Sequence, residues 1–501
     1  MDRRAFLTAL AAGTSGLAGC SLSTGNGDSV PTNDGTRTSG RPTDNGETDT
    51  RPDDHSQPEG WASVVELETG PRTYAFGPTS MHTDDRARIA LWFDRTATAD
   101  HPARLRGWFE NGNDFANTFR IEWIPVVGGT HGRQPAGYDH EARLHFAPTE
   151  NNDLAETVPE VIRTDDGYWR VEDIGPWMTE TYRMDPGERV ELEYVLVGER
   201  GMSGRPTGTY EYRGDDQSAS VTVWNTDAPG PEAKSRFAGR SVPAFDNDRT
   251  VQWFHEADST TPAFVRPSAE RIELDGRIDF EMVNNSHEEL GCGHWNLYKL
   301  VDGRWFHVGP AFHTADCRSL PPGGREQWSL RAFNGKSVPC GHENCECRGL
   351  TRGYLGGGEY AVVAGYGHPG DESAALVELT GDPVTLVPTD DATAEQNGDV
   401  ATVTTDRYGD GEHPPDATFA VTRTVSATER VIAEQVMGSS GGLSRGRGLR
   451  NALSAMTADV DRVVVRTDEH VANAVFGSDE STRRFRFRGE DYEVSRDAAA
   501  E

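Results

Sequence analysis

The chain is predicted to be mainly β: two tandem β-sandwiches followed by a small α+β module. Short segments alternate apolar and polar residues, Gly and Pro punctuate them, and one set of strand and turn signals occurs twice. A helical period of useful length appears only near the C-terminus.

Before the first strand, Asp2-Arg3-Arg4-Ala5-Phe6-Leu7 opens an uncharged stretch that reaches Ala18 and is too short to span a bilayer. It closes with Leu17-Ala18-Gly19-Cys20, small residues ahead of a cysteine. A basic start, an apolar middle and a small-residue cleavage site make residues 1–19 an expected export signal, and the arginine pair points to the twin-arginine route. The final cysteine resembles a lipobox, which implies that Cys20 is acylated and becomes the first residue of the mature chain. Such a cysteine carries more than one hydrocarbon chain, enough to hold a protein on a membrane. Residues 20–60 are Ser, Thr, Gly, Asn, Asp and Pro, with Leu22 and Val30 as the only sizeable apolar residues, so they are expected to form a disordered tether.

The first sandwich is expected over 61–227. Ile89/Leu91/Phe93, Phe119/Ile121/Trp123, Val190/Leu192/Tyr194/Leu196 and Ala219/Val221/Val223 each place apolar side chains on one face of a strand. After a linker at 228–250, a second sandwich over 251–383 repeats the design. Phe280 to Asn285 parallels Phe109 to Asn111, Pro322-Gly323-Gly324-Arg325 parallels Pro186-Gly187-Glu188-Arg189, and Gly358-Glu359-Tyr360 parallels Gly208-Thr209-Tyr210. In each Pro-Gly pair, Pro sets φ for one turn position and Gly takes the left-handed one. A second linker is expected at 384–416 and the α+β module at 417–501. There Ser426-Ala427-Thr428-Glu429 fits a capping box, Ala433/Val436/Met437 and Leu449/Ala452/Leu453/Met456 fall at helical spacing, Val463 to Val465 reads as a strand, and Phe485/Phe487 with Tyr492/Val494 read as a hairpin around Gly489.

In the second sandwich, Asn284-Asn285-Ser286, Asn296-Leu297-Tyr298-Lys299, Asp302-Gly303-Arg304-Trp305, Leu320-Pro321-Pro322-Gly323 and Gly357-Gly358-Glu359-Tyr360 together resemble the bacterial immunoglobulin-like domains of exported proteins. The resemblance covers about a quarter of the chain, implies immunoglobulin-like sandwiches, and implies no reaction.

Chemistry is concentrated in the second sandwich, which holds every cysteine but Cys20: Cys292, Cys317, Cys340, Cys345 and Cys347. Three thiols and an imidazole lie within Cys340-Gly341-His342-Glu343-Asn344-Cys345-Glu346-Cys347. Cys340, His342, Cys345 and Cys347 are candidate ligands for zinc or copper(I), with Cys292-Gly293-His294 and His313 to Cys317 able to supply further ligands. In an oxidising compartment the same five cysteines are disulfide candidates: Cys292 with Cys317, and Cys340 with Cys345 or Cys347. Disulfides are the expectation and a metal centre the alternative. His131, His140 and His145, beside Asp139 and Glu141, read as a loop of exposed histidines rather than a metal site. Gly438-Ser439-Ser440-Gly441-Gly442 ahead of Arg445, Arg447 and Arg450 suggests backbone amides around a phosphate, yet lacks the Gly-Lys-Ser/Thr ending and reads as a loop between helices.

Lys and Arg total 49 against 81 Asp and Glu, for a net charge of −32, and only Lys234, Lys299 and Lys336 are lysines. Acid surplus with lysine depletion resembles the secreted proteins of haloarchaea, in which carboxylates keep the surface hydrated in brine and close screening quiets their repulsion. The same charge excludes nucleic acid as an expected partner. No nucleophile elbow or serine–base pair is visible, so no catalytic residue is assigned. The expected protein is a lipid-anchored one on the outer face of the cell membrane, binding an unidentified protein or envelope component.

Overall fold

The computed structural model describes residues 57–136, 142–215, 217–246, 248–291, 293–313, 318–338, 349–411, 415–438, 446–476 and 481–496. Strand makes up 46% and helix 7%, so the chain is mainly β. His55–Glu501 form one compact unit.

Its first part places the sheet Val64–Glu66, Arg72–Gly77, Ser218–Asn225, Gly208–Arg213 against a seven-stranded sheet centred on Ala87–Arg95, Ala103–Asn111 and Arg189–Glu199. Inward residues of both, among them Phe76, Val221, Leu91, Phe109 and Tyr194, form one core. The alternation is the cause: Ile89, Leu91, Phe93, Val190, Leu192, Leu196, Val221 and Val223 are buried, as expected for one face of a pleated strand. One strand ends early. Asn117–Arg120 is extended, but Ile121–Trp123 turns as a 3-10 helix, so Phe119 and Ile121 are buried while Trp123 turns out to solvent beneath Arg120, 4.2 Å from its ring.

The second part packs Val251–Trp253, Glu372–Thr380, Gly358–Ala364, Trp295–Val301, Arg304–Gly309 against Ala263–Pro267, Gly276–Asn284, Arg325–Ala332, Gly349–Arg352. The repeat seen in the sequence reappears contact by contact. Asn111 and Asn284 close equivalent strands, and neither is exposed. The Asn111 amide donates to the carbonyls of Phe115, Met184 and Asp185 while its oxygen accepts from Asn113 N. That of Asn284 donates to Glu288, Leu320 and Pro321 while its oxygen accepts from Ser286 N. Each asparagine thereby clamps the carbonyls just before its Pro-Gly turn, and each backbone carbonyl accepts from the glycine, Gly187 N at 3.0 Å and Gly323 N at 2.7 Å. The Gly-x-Tyr signals match too: Tyr210 and Tyr360 donate to the carbonyls four residues upstream, Pro206 and Gly356, at 2.8 and 2.7 Å. The tyrosine hydroxyls thus find partners without leaving the core.

Residues 228–250 join the two parts and also cover a sheet face. Phe245 stacks on Trp253 and Trp305, with centroids at 5.7 and 5.2 Å, and Trp305 Nε1 donates to Pro243 O at 2.8 Å.

The C-terminal sheet runs Ala392–Asn397, Val400–Thr405, Arg462–Asp468, Asp416–Thr424, Glu490–Arg496, Thr482–Phe487, Glu429–Arg430. Three helices, α1 (Ala433–Met437), α2 (Arg447–Ala455) and α3 (Glu469–Phe476), accompany it. Two expectations change here. Part of 384–416 is a hairpin of this sheet rather than linker; its outer strand is a solvent-facing edge, and an edge strand written Ala-Thr-Ala-Glu-Gln-Asn carries no apolar alternation. Ser426 begins no helix, because Glu429–Arg430 pair with Thr482–Phe487 and α1 starts at Ala433, where Gln435 Oε1 accepts from Ile432 N at 3.2 Å. Helix α3, which the sequence reading missed, is capped by Asp468, whose Oδ1 accepts from Val471 N at 2.8 Å.

Candidate functional site

Cys20, Cys292, Cys317, Cys340, His342, Cys345 and Cys347 all lie outside the described residues. The described neighbours of Cys292 and Cys317 meet at one end of the second sandwich. Leu290 and Leu320 form an antiparallel bridge, and Gly293 N donates to Arg318 O at 3.4 Å, so the backbone flanking Cys292 meets that flanking Cys317.

Beside this pairing stand three imidazoles. His294 and Asn296 are two residues apart and point to the same side as Tyr298, while His307 lies opposite Tyr298 on the neighbouring strand. Asn296 Oδ1 accepts from His307 Nε2 at 3.1 Å and from His313 Nε2 at 3.0 Å; His313 stacks on His294 with centroids 4.6 Å apart. Loss of water, then the neighbouring His313, holds the His307 pKa below the ordinary histidine value; loss of water and then His294 do the same for His313. An amide oxygen only accepts, so Nε2 is the protonated nitrogen of His307 and of His313 in these contacts. Among the described residues no three His, Cys, Asp or Glu side chains are arranged to hold a metal, these imidazoles included. Sequence reasoning named His294 and His313 but missed His307, which only the strand pairing brings to them.

In the first sandwich the structure joins two of the three histidines noted in the sequence. His131 Nδ1 and His145 Nδ1 are 2.8 Å apart, and Trp177 packs on both rings at 4.9 and 5.9 Å. His145 is fully buried, not part of an exposed loop, because it lies on Leu144–Pro148 inside the sheet. Its Nε2 lies 3.3 Å from Glu199 Oε1. His145, more than any other group, draws the Glu199 carboxyl below its usual range. Asp139, His140 and Glu141 lie outside the described residues.

His131 has one edge in water and one face against Trp177; loss of water on that face, then His145, lowers its pKa from 6.5 to about 4. The folded state thus binds fewer protons than the unfolded chain between these values. This group's contribution is complete above pH 6.5, declines on acidification to about 4, and is constant below. In denaturant titrations across that window, His131→Gln is expected to flatten part of the acid-side loss of stability; an unchanged slope would contradict the assignment.

No family model and no curated protein matches the chain. Among solved structures, a polysaccharide lyase is similar at 11% identity and TM-score 0.13 over 64% of this chain and 39% of its own. The native conformation of E. coli alpha-2-macroglobulin is similar at 9% identity and TM-score 0.14 over 72% of this chain and 23% of its own. The chain spans about two fifths and about a quarter of those two proteins. Fold and site together define a mainly β protein whose two sandwiches repeat one pattern of buried asparagine and tyrosine clamps.

Proposed function

We propose that this chain is a haloarchaeal surface lipoprotein, exported by the twin-arginine route, held on the outer membrane face by lipid on Cys20, and binding a protein or envelope component through immunoglobulin-like sandwiches. The observation that carries this reading is the spacing of Arg3-Arg4, the uncharged stretch to Ala18, and Leu17-Ala18-Gly19-Cys20. The polar run 21–60 supports it as a tether, and the charge of −32 supports a surface made for brine. Among the described residues no helix is long and apolar enough to cross a membrane.

Expressed in a haloarchaeal host, the protein is expected in the membrane fraction with a mass corresponding to cleavage before Cys20 plus lipid. Cys20→Ser should abolish the lipid mass, and replacing Arg3 and Arg4 by lysine should leave precursor inside. Full-length, unlipidated polypeptide in the cytosol of cells carrying the unaltered gene would refute the reading.

A second reading is a zinc or copper protein using Cys340, His342, Cys345 and Cys347, with Cys292, His294 and His313 to Cys317 able to supply further ligands; it is supported by the three thiols and one imidazole within eight residues of sequence. Elemental analysis is expected to find one equivalent of metal that is lost in Cys345→Ser and weakened in His313→Ala. Two intact disulfides by peptide mapping, with no metal, would remove this reading.

A further inference from the structure

Two of the three lysines have defined places in the fold. Lys299 is buried, and Lys336 stands at the mouth of an open cavity of about 470 Å³ between the second sandwich and the C-terminal sheet. Arg407, Arg447 and Arg450 line the same cavity, so four cations face two lining carboxylates, Asp390 and Asp391, in a chain where acids outnumber bases 81 to 49. The cations come from separate elements: Lys336 follows Arg325–Ala332, Arg407 follows Val400–Thr405, and Arg447 and Arg450 share one face of α2, three residues apart.

The start of α2 is unusual in the same direction. Its N-cap is Gly446, no side chain caps it, and its first turn holds Arg447 and Arg450 with no acid. Cations oppose the positive end of a helix dipole, where anions are favoured. Arg447 pairs with Asp391 through Nη2, while its buried Nε has no hydrogen-bond partner among the described residues. Among the described residues Arg450 is held by neutral acceptors: Nε donates to Val387 O at 2.6 Å, Nη2 to Pro388 O at 3.0 Å, and its guanidinium lies 5.1 Å over the Tyr354 ring. Arg407 is turned partly away, giving Nη1 to the buried Asp468 at 3.2 Å.

We propose that this cavity binds a tetrahedral oxyanion, a phosphate or sulfate group borne on a larger molecule. Cations that line the cavity from three elements suit an anion with three free oxygens better than a carboxylate, which one guanidinium fork satisfies. The cavity falls within the size range of ligand pockets and exceeds a bare oxyanion, leaving space for the group that carries it. The site is independent of the lipid anchor and of any metal.

The test is calorimetric and thermal titration of the purified protein with sodium phosphate and with sodium sulfate, against sodium chloride at matched ionic strength. Both oxyanions stabilise folded proteins by exclusion from their surfaces, so the comparison between variants decides. Lys336 is 79% exposed and 3.7 Å from the exposed Asp390, so Lys336→Gln leaves the fold intact. Saturable binding that weakens about three- to tenfold in Lys336→Gln and tightens about two- to threefold in Asp390→Asn is expected from the change in local charge. A preference for phosphate or sulfate would identify the borne group. Titration curves that do not saturate, or that coincide for wild type, Lys336→Gln and Asp390→Asn, would overturn the proposal.

Discussion

Asn284→Ala is expected to lower the stability of the second sandwich by about 3–4 kcal/mol, because truncation leaves buried carbonyls without a donor and opens a cavity at the end of a central strand. Asn284 donates to the carbonyls of Glu288, Leu320 and Pro321 from a fully buried position. The internal repeat provides a second trial of the same physics: Asn111→Ala should produce a loss of similar size in the first sandwich, since Asn111 makes the equivalent bonds to Phe115, Met184 and Asp185. Calorimetry with limited proteolysis would show which part loosens first. Asn284→Asp should be worse than Ala at neutral pH, because a carboxylate would face carbonyl oxygens, and should recover on acidification as the group protonates. A loss below about 1 kcal/mol in both alanine variants would show that the clamp is incidental.

The second large effect lies where the C-terminal module meets the second sandwich. Lys299 Nζ pairs with Glu434 Oε1 and donates to Gly357 O at 3.1 Å; both side chains are buried. Gly356 N donates to the same carboxylate at 3.2 Å, and Arg352 donates to the carbonyls of Glu434 and Gly438. Burial pushes the Arg352 guanidinium down to about 10, while Glu434 pulls the other way, and burial with Glu434 drives the Tyr360 hydroxyl far up. Glu434→Gln removes the carboxylate that Lys299 Nζ and Gly356 N share. A loss of about 3–5 kcal/mol is expected, read as a lower unfolding midpoint and earlier cleavage beside α1. The paired change Lys299→Met with Glu434→Leu should come within about 1 kcal/mol of wild type, because it removes both desolvated charges at once. Lys299→Arg should be poorly tolerated, since a Cβ built on Gly358 would already lie 3.1 Å from Lys299 Cε and the cleft has no room for a planar fork. An unaltered midpoint in Glu434→Gln would mean that the pair contributes nothing net.

Alternation and turn chemistry are local, and they were legible. Val190/Leu192/Tyr194/Leu196 and Ala219/Val221/Val223 show their inward face in the sequence because the side-chain period of a strand is two. The Pro-Gly and Gly-x-Tyr parallels marked the repeat before its cause was visible; the cause is that Asn111 and Asn284 clamp one turn and Tyr210 and Tyr360 the other. The edge strand Ala392–Asn397 escaped because a solvent-facing strand has no need of alternation, and α3 because a helix of eight residues shows barely two turns of period.

By itself, then, the sequence determined the mainly β class, the twofold strand-and-turn pattern, the acidic surface and the candidate export signal, each set by residues near one another in the chain. Tertiary structure alone decided that His307 joins His294 and His313, that Lys299 finds Glu434 across 135 residues, and that Lys336, Arg407, Arg447 and Arg450 share a cavity. The physical reason is that a long-range contact depends on how strands pair and where sheets pack, and a charged or imidazole side chain leaves no periodic trace of the partner it will meet.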